Sequence, residues 1–253
     1  MNCINKEKCM NSYDSNIIWC NNTGVTGEKY YYIFFSIGII TLPYILLLII
    51  IILNKGNIIL TYPLIISSIL FIIEVSAIIK TACTDPGIMH KHERNNKYKL
   101  RKYFIKSIIN GHLYELSFCQ SCFLFNPPRA KHCYFCDNCV LRFDHHCNWV
   151  GHCIGQKNYS SFFILIWSIF FSNLFYIIYP LYYICVQAKK FKNKENYNKL
   201  ILWGFSIVVL YNILMLFTFI RRLVVLHTYL QCINKTFYEY LKNKFTVFHG
   251  NIS

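Results

Sequence analysis

Seven cysteines and four histidines crowd into residues 119–153, which read CQSCFLFNPPRAKHCYFCDNCVLRFDHHCNWVGHC. They are Cys119, Cys122, Cys133, Cys136, Cys139, Cys147 and Cys153, with His132, His145, His146 and His152. Sulfur and imidazole at these spacings suit tetrahedral zinc, because Zn²⁺ takes four S or N ligands and a Cys-x-x-Cys hairpin supplies two of them with little strain. Two ions need eight ligands, and the stretch offers eleven. Cys119-x2-Cys122 forms one knuckle and Cys133-x2-Cys136 a second, while pairing Cys136 with Cys139 is an alternative that spacing leaves open. Adjacent residues such as His132 and Cys133 seldom bind one ion, which favours interleaved sites.

The elements that must hold these groups are membrane helices. Hydrophobic residues make up 55% of the chain, aromatic residues 18%, and the mean hydropathy is +0.34, values of a membrane protein rather than a soluble domain. A net charge of +15 would suggest nucleic acid in a soluble protein. Here the basic residues flank apolar runs and read as topology signals and contacts with anionic head groups, so no nucleic-acid partner is expected. Apolar runs at 30–53, 58–79, 162–186 and 200–220, charged only at Glu74, are each long enough to cross about 30 Å of hydrocarbon. Asn54–Asn57 make a tight turn between the first two, and 187–199 form a lysine-rich loop between the last two.

The expected fold is therefore an all-α integral membrane protein with four transmembrane helices and a cytosolic zinc-binding cysteine-rich domain between the second and third. Its segments are 1–29 (cytosolic), 30–80 (helices 1 and 2), 81–161 (zinc domain), 162–220 (helices 3 and 4) and 221–253 (cytosolic). The three segments assigned to the cytosol carry 19 lysines and arginines against six in the two opposite loops, which sets the orientation. A cytosolic face is reducing, so the cysteine cluster is metal-binding or catalytic rather than a disulfide framework. Residues 1–29 lack the pattern of a cleaved signal peptide, and the sequon at Asn21-Asn22-Thr23 has no meaning on the cytosolic side. Cys3, Cys9 and Cys20 are read as unmodified, and Cys83, Cys185 and Cys232 as small packing or interfacial side chains. Glu74 lies less than two turns from Lys80, where it is expected to reach head groups or pair with that lysine, and it is given no role.

The ordered set Cys119-x2-Cys122, Pro128-Arg129, His132-Cys133-x2-Cys136-x2-Cys139, Asp144-His145-His146-Cys147, Trp149, Cys153, Gly155 and Asn158 resembles the cysteine-rich domain of the DHHC family of protein S-acyltransferases, or palmitoyltransferases. Asp85-Pro86-Gly87 is similar to the family's DPG motif, and His227-Thr228, Asn234, Thr236 and Glu239 to the segment around its TTxE motif. The resemblance implies two structural zinc ions, one held by Cys119, Cys122, His132 and Cys139 and the other by Cys133, Cys136, His146 and Cys153. It also implies the reaction. A long-chain acyl-CoA such as palmitoyl-CoA would load Cys147 as a thioester, and a cysteine thiol of a membrane-associated protein would then take the acyl group, a ping-pong transfer at the cytosolic face of the endomembrane system (Golgi or ER, with the plasma membrane as a further site).

That partition leaves His145, His152 and Cys147 outside the metal sites. A free thiol has a pKa near ~8.5, so an attacking cysteine needs a base or a nearby positive charge. A site of three thiolates and one neutral imidazole around Zn²⁺ is formally negative and would by itself raise the pKa of Cys147. Activation should come from His145, with Asp144 fixing its tautomer and stabilising the imidazolium. Arg129, Lys131, Arg142 and Lys157 are available to offset the negative sites, and His152 is read as a local hydrogen-bonding residue. The chain departs from the family pattern at Asn148, where proline is usual, at Gly151-His152, where Asn-Asn is usual, and at the second threonine of TTxE. A membrane-anchored zinc scaffold without catalysis is the competing reading. It has no use for a cysteine beyond the eight ligands next to an Asp-His pair, whereas an acyl carrier requires one.

Overall fold

The computed structural model describes residues 11–13, 16–19, 24–27, 29–53, 61–92, 104–192 and 199–242. Cys3, Cys9, Cys20, the sequon Asn21-Asn22-Thr23, the turn Asn54–Asn57 and residues 193–198 of the lysine-rich loop lie outside the described residues. The chain divides into two compact units, one formed by 34–79 and 161–229 and the other by 1–33, 80–160 and 230–253.

The first unit is helical. Its long elements are α1 (Tyr32–Leu53), α2 (Thr61–Cys83), α3 (Tyr159–Lys192) and α4 (Lys199–Met215). A five-residue π-helical segment, Leu216–Ile220, follows α4 directly and leads into α5 (Arg221–Cys232). Hydrocarbon offers a peptide group no hydrogen-bond partner, so an apolar run must close its own bonds as a helix. Four stretches are long and apolar enough to span a bilayer: Tyr32–Ile52, Tyr62–Cys83, Tyr159–Lys189 and Ile201–Cys232. The last three run past the apolar sequence at one or both ends, since backbone bonding need not stop where hydropathy does. Leu47, Tyr176, Ile201, Phe205 and Val208 are buried at the centre of this unit, and the rings of Tyr44 and Phe71 stack 4.7 Å apart.

Two prolines interrupt the helices, Pro43 in α1 and Pro180 in α3. Lacking an N–H, each releases the carbonyl four residues earlier. The carbonyl of Ile39 freed by Pro43 is taken up by the Tyr211 hydroxyl at 3.1 Å. Glu74 departs from the expectation drawn for it. It is 2% exposed, shares a helix face with buried Ser67, Ala77 and Ile78, and stands beside Ser172 of α3. At positions i, i+3 and i+4 from that carboxylate, the apolar stripe turns the side chain inward rather than toward Lys80.

The second unit corrects the all-α expectation, because it is built largely from short strands. These are β1 (Asn11–Tyr13), β2 (Asn16–Trp19), β3 (Gly24–Gly27), β4 (Ile88–Met89), β5 (Phe104–Ile109), β6 (His112–Cys119), β7 (Leu124–Phe125), β8 (Lys131–Cys133), β9 (Asn138–Val140), β10 (His145–Cys147) and β11 (His152–Ile154). They pair antiparallel in the orders β1-β2-β3, β5-β6-β7, β4-β9-β8 and β10-β11. Most are two to four residues long, too short for the period-2 signature of a strand to register. The longest hairpin did carry a readable signal. Asn110-Gly111 joins β5 to β6 with both φ positive (51° and 80°), the conformation that Asn-Gly favours in a two-residue hairpin loop.

The Asp85-Pro86-Gly87 turn ties α2 to the strands. The Asp85 carboxylate accepts the Gly87 and Ile88 amides, each at 2.8 Å, and pairs with Lys157 at 2.5 Å. Burial opposes its charge, but those bonds prevail and hold the carboxyl below the usual range. Asn158 is fully buried and works as a clasp, accepting from the Gly155 amide and donating to the carbonyls of Cys153 and Thr81. Gly155 has no alternative, since a Cβ there would lie 2.5 Å from the Pro86 oxygen.

Candidate metal centres and catalytic hairpin

Strand geometry sorts the eleven candidate residues. Successive side chains of a strand point to opposite faces. In β8, His132 and Cys133 therefore diverge, and each joins a different cluster. His132 lies directly across from Cys139 of β9 and gathers with Cys119 and Cys122. Cys133 gathers with Cys136, His146 and Cys153. In each group the ligand atoms lie within 4.8 Å of one another. The residue after each knuckle's second cysteine, Phe123 or Asp137, has positive φ (52° and 47°) and folds the chain back over the sulfurs.

Distances within the clusters test the fit to a metal. A tetrahedral zinc with Zn–S of about 2.3 Å and Zn–N of about 2.0–2.1 Å separates S from N by about 3.6 Å and S from S by about 3.8 Å. The His146 Nδ1 lies 3.7, 3.3 and 3.8 Å from the sulfurs of Cys133, Cys136 and Cys153. The His132 Nδ1 lies 3.3 and 3.9 Å from those of Cys122 and Cys139. Sulfurs this close compete for charge. A hydrogen bond with Cys139 draws the Cys122 thiol down to about 6, and the same contact drives Cys139 far above the ordinary thiol range. A divalent cation relieves that competition by taking every sulfur as thiolate. Both groups could hold a metal ion, and their donor sets are those of zinc.

β10 and β11 form a hairpin in which His146 lies directly across from Cys153, and Cys147 across from His152. Alternation along β10 puts His146 on the metal side and both His145 and Cys147 on the other. The His145 Nδ1 is 2.7 Å from the Asp144 carboxylate, and the imidazole also hydrogen-bonds Cys147. With Nδ1 engaged, Nε2 is the nitrogen left for the thiol. Burial works against charge on this ring, but the bonds from Asp144 and Cys147 outweigh it and raise the His145 pKa to about 9. Cys147 is 6% exposed. The turn that follows runs through Asn148, whose carbonyl accepts the Gly151 amide at 3.3 Å.

Asp144 has a second duty that the sequence did not reveal. Its Oδ1 accepts the Phe237 amide at 2.8 Å and its backbone carbonyl the Tyr238 amide at 3.1 Å, two open N–H groups of the first turn of α6 (Phe237–Lys242). The other two close on each other. Thr236 Oγ1 accepts the Glu239 amide at 3.2 Å while Glu239 accepts the Thr236 amide at 2.8 Å, the reciprocal pattern of a capping box. A single threonine is enough for this, and Thr-x-x-Glu was a legible signal. Glu239 also receives a two-pronged ion pair from Arg129 at 2.6 and 2.7 Å, and Arg129 and Arg142 both reach Asn234. Arg129, Arg142 and Lys157 thus spend their charge on these contacts and on Asp85, and Lys131 lies over the Tyr238 ring. His152 does not take the local hydrogen bond read for it: it is fully buried, neither ring nitrogen is hydrogen-bonded among the described residues, and burial pushes its pKa down to about 4.

Comparison with known proteins agrees with this architecture. Residues 112–244 match the family model described as DHHC palmitoyltransferase. The chain is 40% identical over 135 residues to "Probable protein S-acyltransferase 6" of Arabidopsis thaliana, covering 52% of this chain and 32% of that protein. It is 38% identical over 125 residues to "Palmitoyltransferase ZDHHC18" of Homo sapiens, covering 44% and 32%. With "Palmitoyltransferase ZDHHC9" of Bos taurus the match is longer, 29% identity over 211 residues, covering 74% and 57%. The chain thus spans about a third of the length of the first two relatives. A family model matching more than half of the chain, over residues that include both cysteine clusters and the Asp-His-Cys hairpin, shows that this chain belongs to the DHHC palmitoyltransferase family.

Proposed function

We propose that the protein is an integral membrane protein S-acyltransferase that moves a long-chain acyl group from acyl-CoA, through a thioester on Cys147, to cysteine thiols of membrane-associated proteins. The observation that carries this is the Asp144–His145–Cys147 relay on the face of the hairpin away from the metal ligands. Cys147 Sγ gives its proton to His145 Nε2 and attacks the thioester carbonyl; the C–S bond to CoA breaks, and the CoA thiolate leaves with that proton. In the second half, an incoming protein thiol gives its proton to the same imidazole and attacks the acyl-Cys147 carbonyl. Cys147 then departs as thiolate and recovers the proton. Asp144 keeps Nδ1 protonated and stabilises the imidazolium in both halves.

Cys119, Cys122, His132 and Cys139 would hold one zinc ion and Cys133, Cys136, His146 and Cys153 the other, and closed four-ligand sites would supply rigidity to the hairpin on which Cys147 sits. The four spans supply apolar surface for the acyl chain, where each buried CH₂ contributes about 0.8 kcal/mol. The bias of basic residues supports a cytosolic active site, and the four apolar helices support a multi-pass membrane protein, which we place in the endomembrane system.

The test uses purified protein and alkyne-tagged palmitoyl-CoA. Hydroxylamine-sensitive label should appear on the wild type and vanish in Cys147→Ser. Equal labelling of the two would exclude Cys147 as the carrier.

A further inference from the structure

The polar groups of the helical unit are few, and they converge. Glu74 is the one acidic or basic residue within 32–53, 62–79, 160–188 and 201–220. With Asn173, Tyr176, Tyr211 and Asn212 it lines a cavity of about 20 Å³, the space of roughly one water molecule. Glu74, Tyr176 and Asn212 are each at most 2% exposed, and Asn173 is 8% exposed. Among the described residues no basic side chain forms an ion pair with Glu74.

The hydrogen bonds of this cluster leave a surplus of oxygen. Asn173 and Asn212 both donate their amide N–H to their own helices, at the carbonyls of Ile169 and Val208, each at 2.8 Å. Their Oδ1 atoms are buried and accept no hydrogen bond from the described residues. Tyr211 donates its hydroxyl hydrogen to Ile39, so only its lone pairs are left to offer. The Tyr176 hydroxyl is buried with no hydrogen-bond partner among the described residues. Against the two carboxylate oxygens, the two amide oxygens and the Tyr211 oxygen stand the hydroxyl hydrogens of Tyr176 and of Ser172, which hydrogen-bonds Glu74, so oxygens outnumber hydrogens around the carboxylate. Backbone irregularity gathers here too: Pro43 lines the cavity, and the π-helical segment begins directly after Met215, another lining residue.

We infer that this cavity binds one small monovalent cation, of the size and charge of Na⁺, through the Glu74 carboxylate, the amide oxygens of Asn173 and Asn212, and the oxygens of Tyr176 and Tyr211. A single carboxylate neutralises a single charge, whereas a divalent ion would leave uncompensated charge among apolar helices. The volume favours the smaller alkali ion over K⁺. Oxygens drawn from three helices, α2, α3 and α4, would make the ion a fastener of the bundle.

The full-length protein in detergent tests this with ²²Na⁺ equilibrium binding and with melting in NaCl, KCl and choline chloride at equal ionic strength. The wild type should bind one Na⁺ per chain saturably and melt several degrees higher in Na⁺ than in either other salt. Glu74→Gln should lose at least tenfold in Na⁺ affinity and melt at the same temperature in all three salts. Should Glu74→Gln fail to fold, Asn212→Ala must show the tenfold loss instead. No saturable binding by the wild type, equal melting in the three salts, or unchanged affinity in the folded variant would each overturn the assignment, the second pointing to a protonated carboxyl beside water.

Discussion

The exchange Asp144→Asn tests the relay at its least visible member. The asparagine oxygen still accepts the Phe237 amide, so α6 stays capped, but the carboxylate that faces His145 Nδ1 at 2.7 Å is gone. The proportion of thiolate–imidazolium pairs follows the difference between the pKa values of His145 and Cys147. If the His145 pKa fell from about 9 to the ordinary 6.5, the pair would lose about 3.4 kcal/mol, or roughly 300-fold. Part of the elevation comes from Cys147 itself, so this is a ceiling, and a loss of roughly 30- to 300-fold is expected. Single-turnover acyl-enzyme formation at pH 7, read by hydroxylamine-sensitive label, measures it. The variant should regain rate as the pH rises, because solvent then deprotonates the thiol directly, while the wild type stays level until His145 loses its proton near pH 9. Two zinc ions per chain should be retained. A variant that labels within about threefold of wild type, with the same pH profile, would refute the relay.

Further predictions concern the parts around it. Cys147→Ala should keep both zinc ions, whereas Cys133→Ala should lose metal and the folded state of its unit, since binding energy at a structural site is also folding energy; metal analysis with circular dichroism distinguishes them. Glu239→Gln breaks the two-pronged bond from Arg129, whose partners are 28% and 14% exposed, and should cost about 1–3 kcal/mol and lower acylation by loosening α6 on Asp144. The double exchange Arg129→Glu with Glu239→Arg should recover part of the stability in a thermal melt. His152 has a folded pKa of about 4, below the unfolded 6.5, so its neutral burial contributes stability fully present above about pH 6.5 and lost as pH falls toward 4. His152→Asn should therefore flatten the decline in melting temperature between pH 6.5 and 4, and an unchanged slope would show that the imidazole does not titrate on unfolding.

Much of the site can be read along the chain because metal chemistry is strict about residue type and spacing. The knuckles, the four apolar runs and the cysteine in excess of the eight ligands are properties of composition and order, and a bilayer allows such runs little besides helix. Alternation explains why His132 and Cys133 separate, and the same rule, once His145–Cys147 is known to be a strand, divides the imidazole of the Cys133 cluster from the one that bonds Cys147. What the tertiary structure alone decided depends on partners remote in sequence. Asp144 caps a helix 93 residues away, Arg129 grips Glu239, and Glu74 turns inward to meet Asn173 and Asn212 rather than outward to Lys80. Most strands of the zinc-binding unit stayed hidden for a related reason: at two to four residues each, they exist through their pairing and the sulfurs they converge on, not through any periodicity of their own.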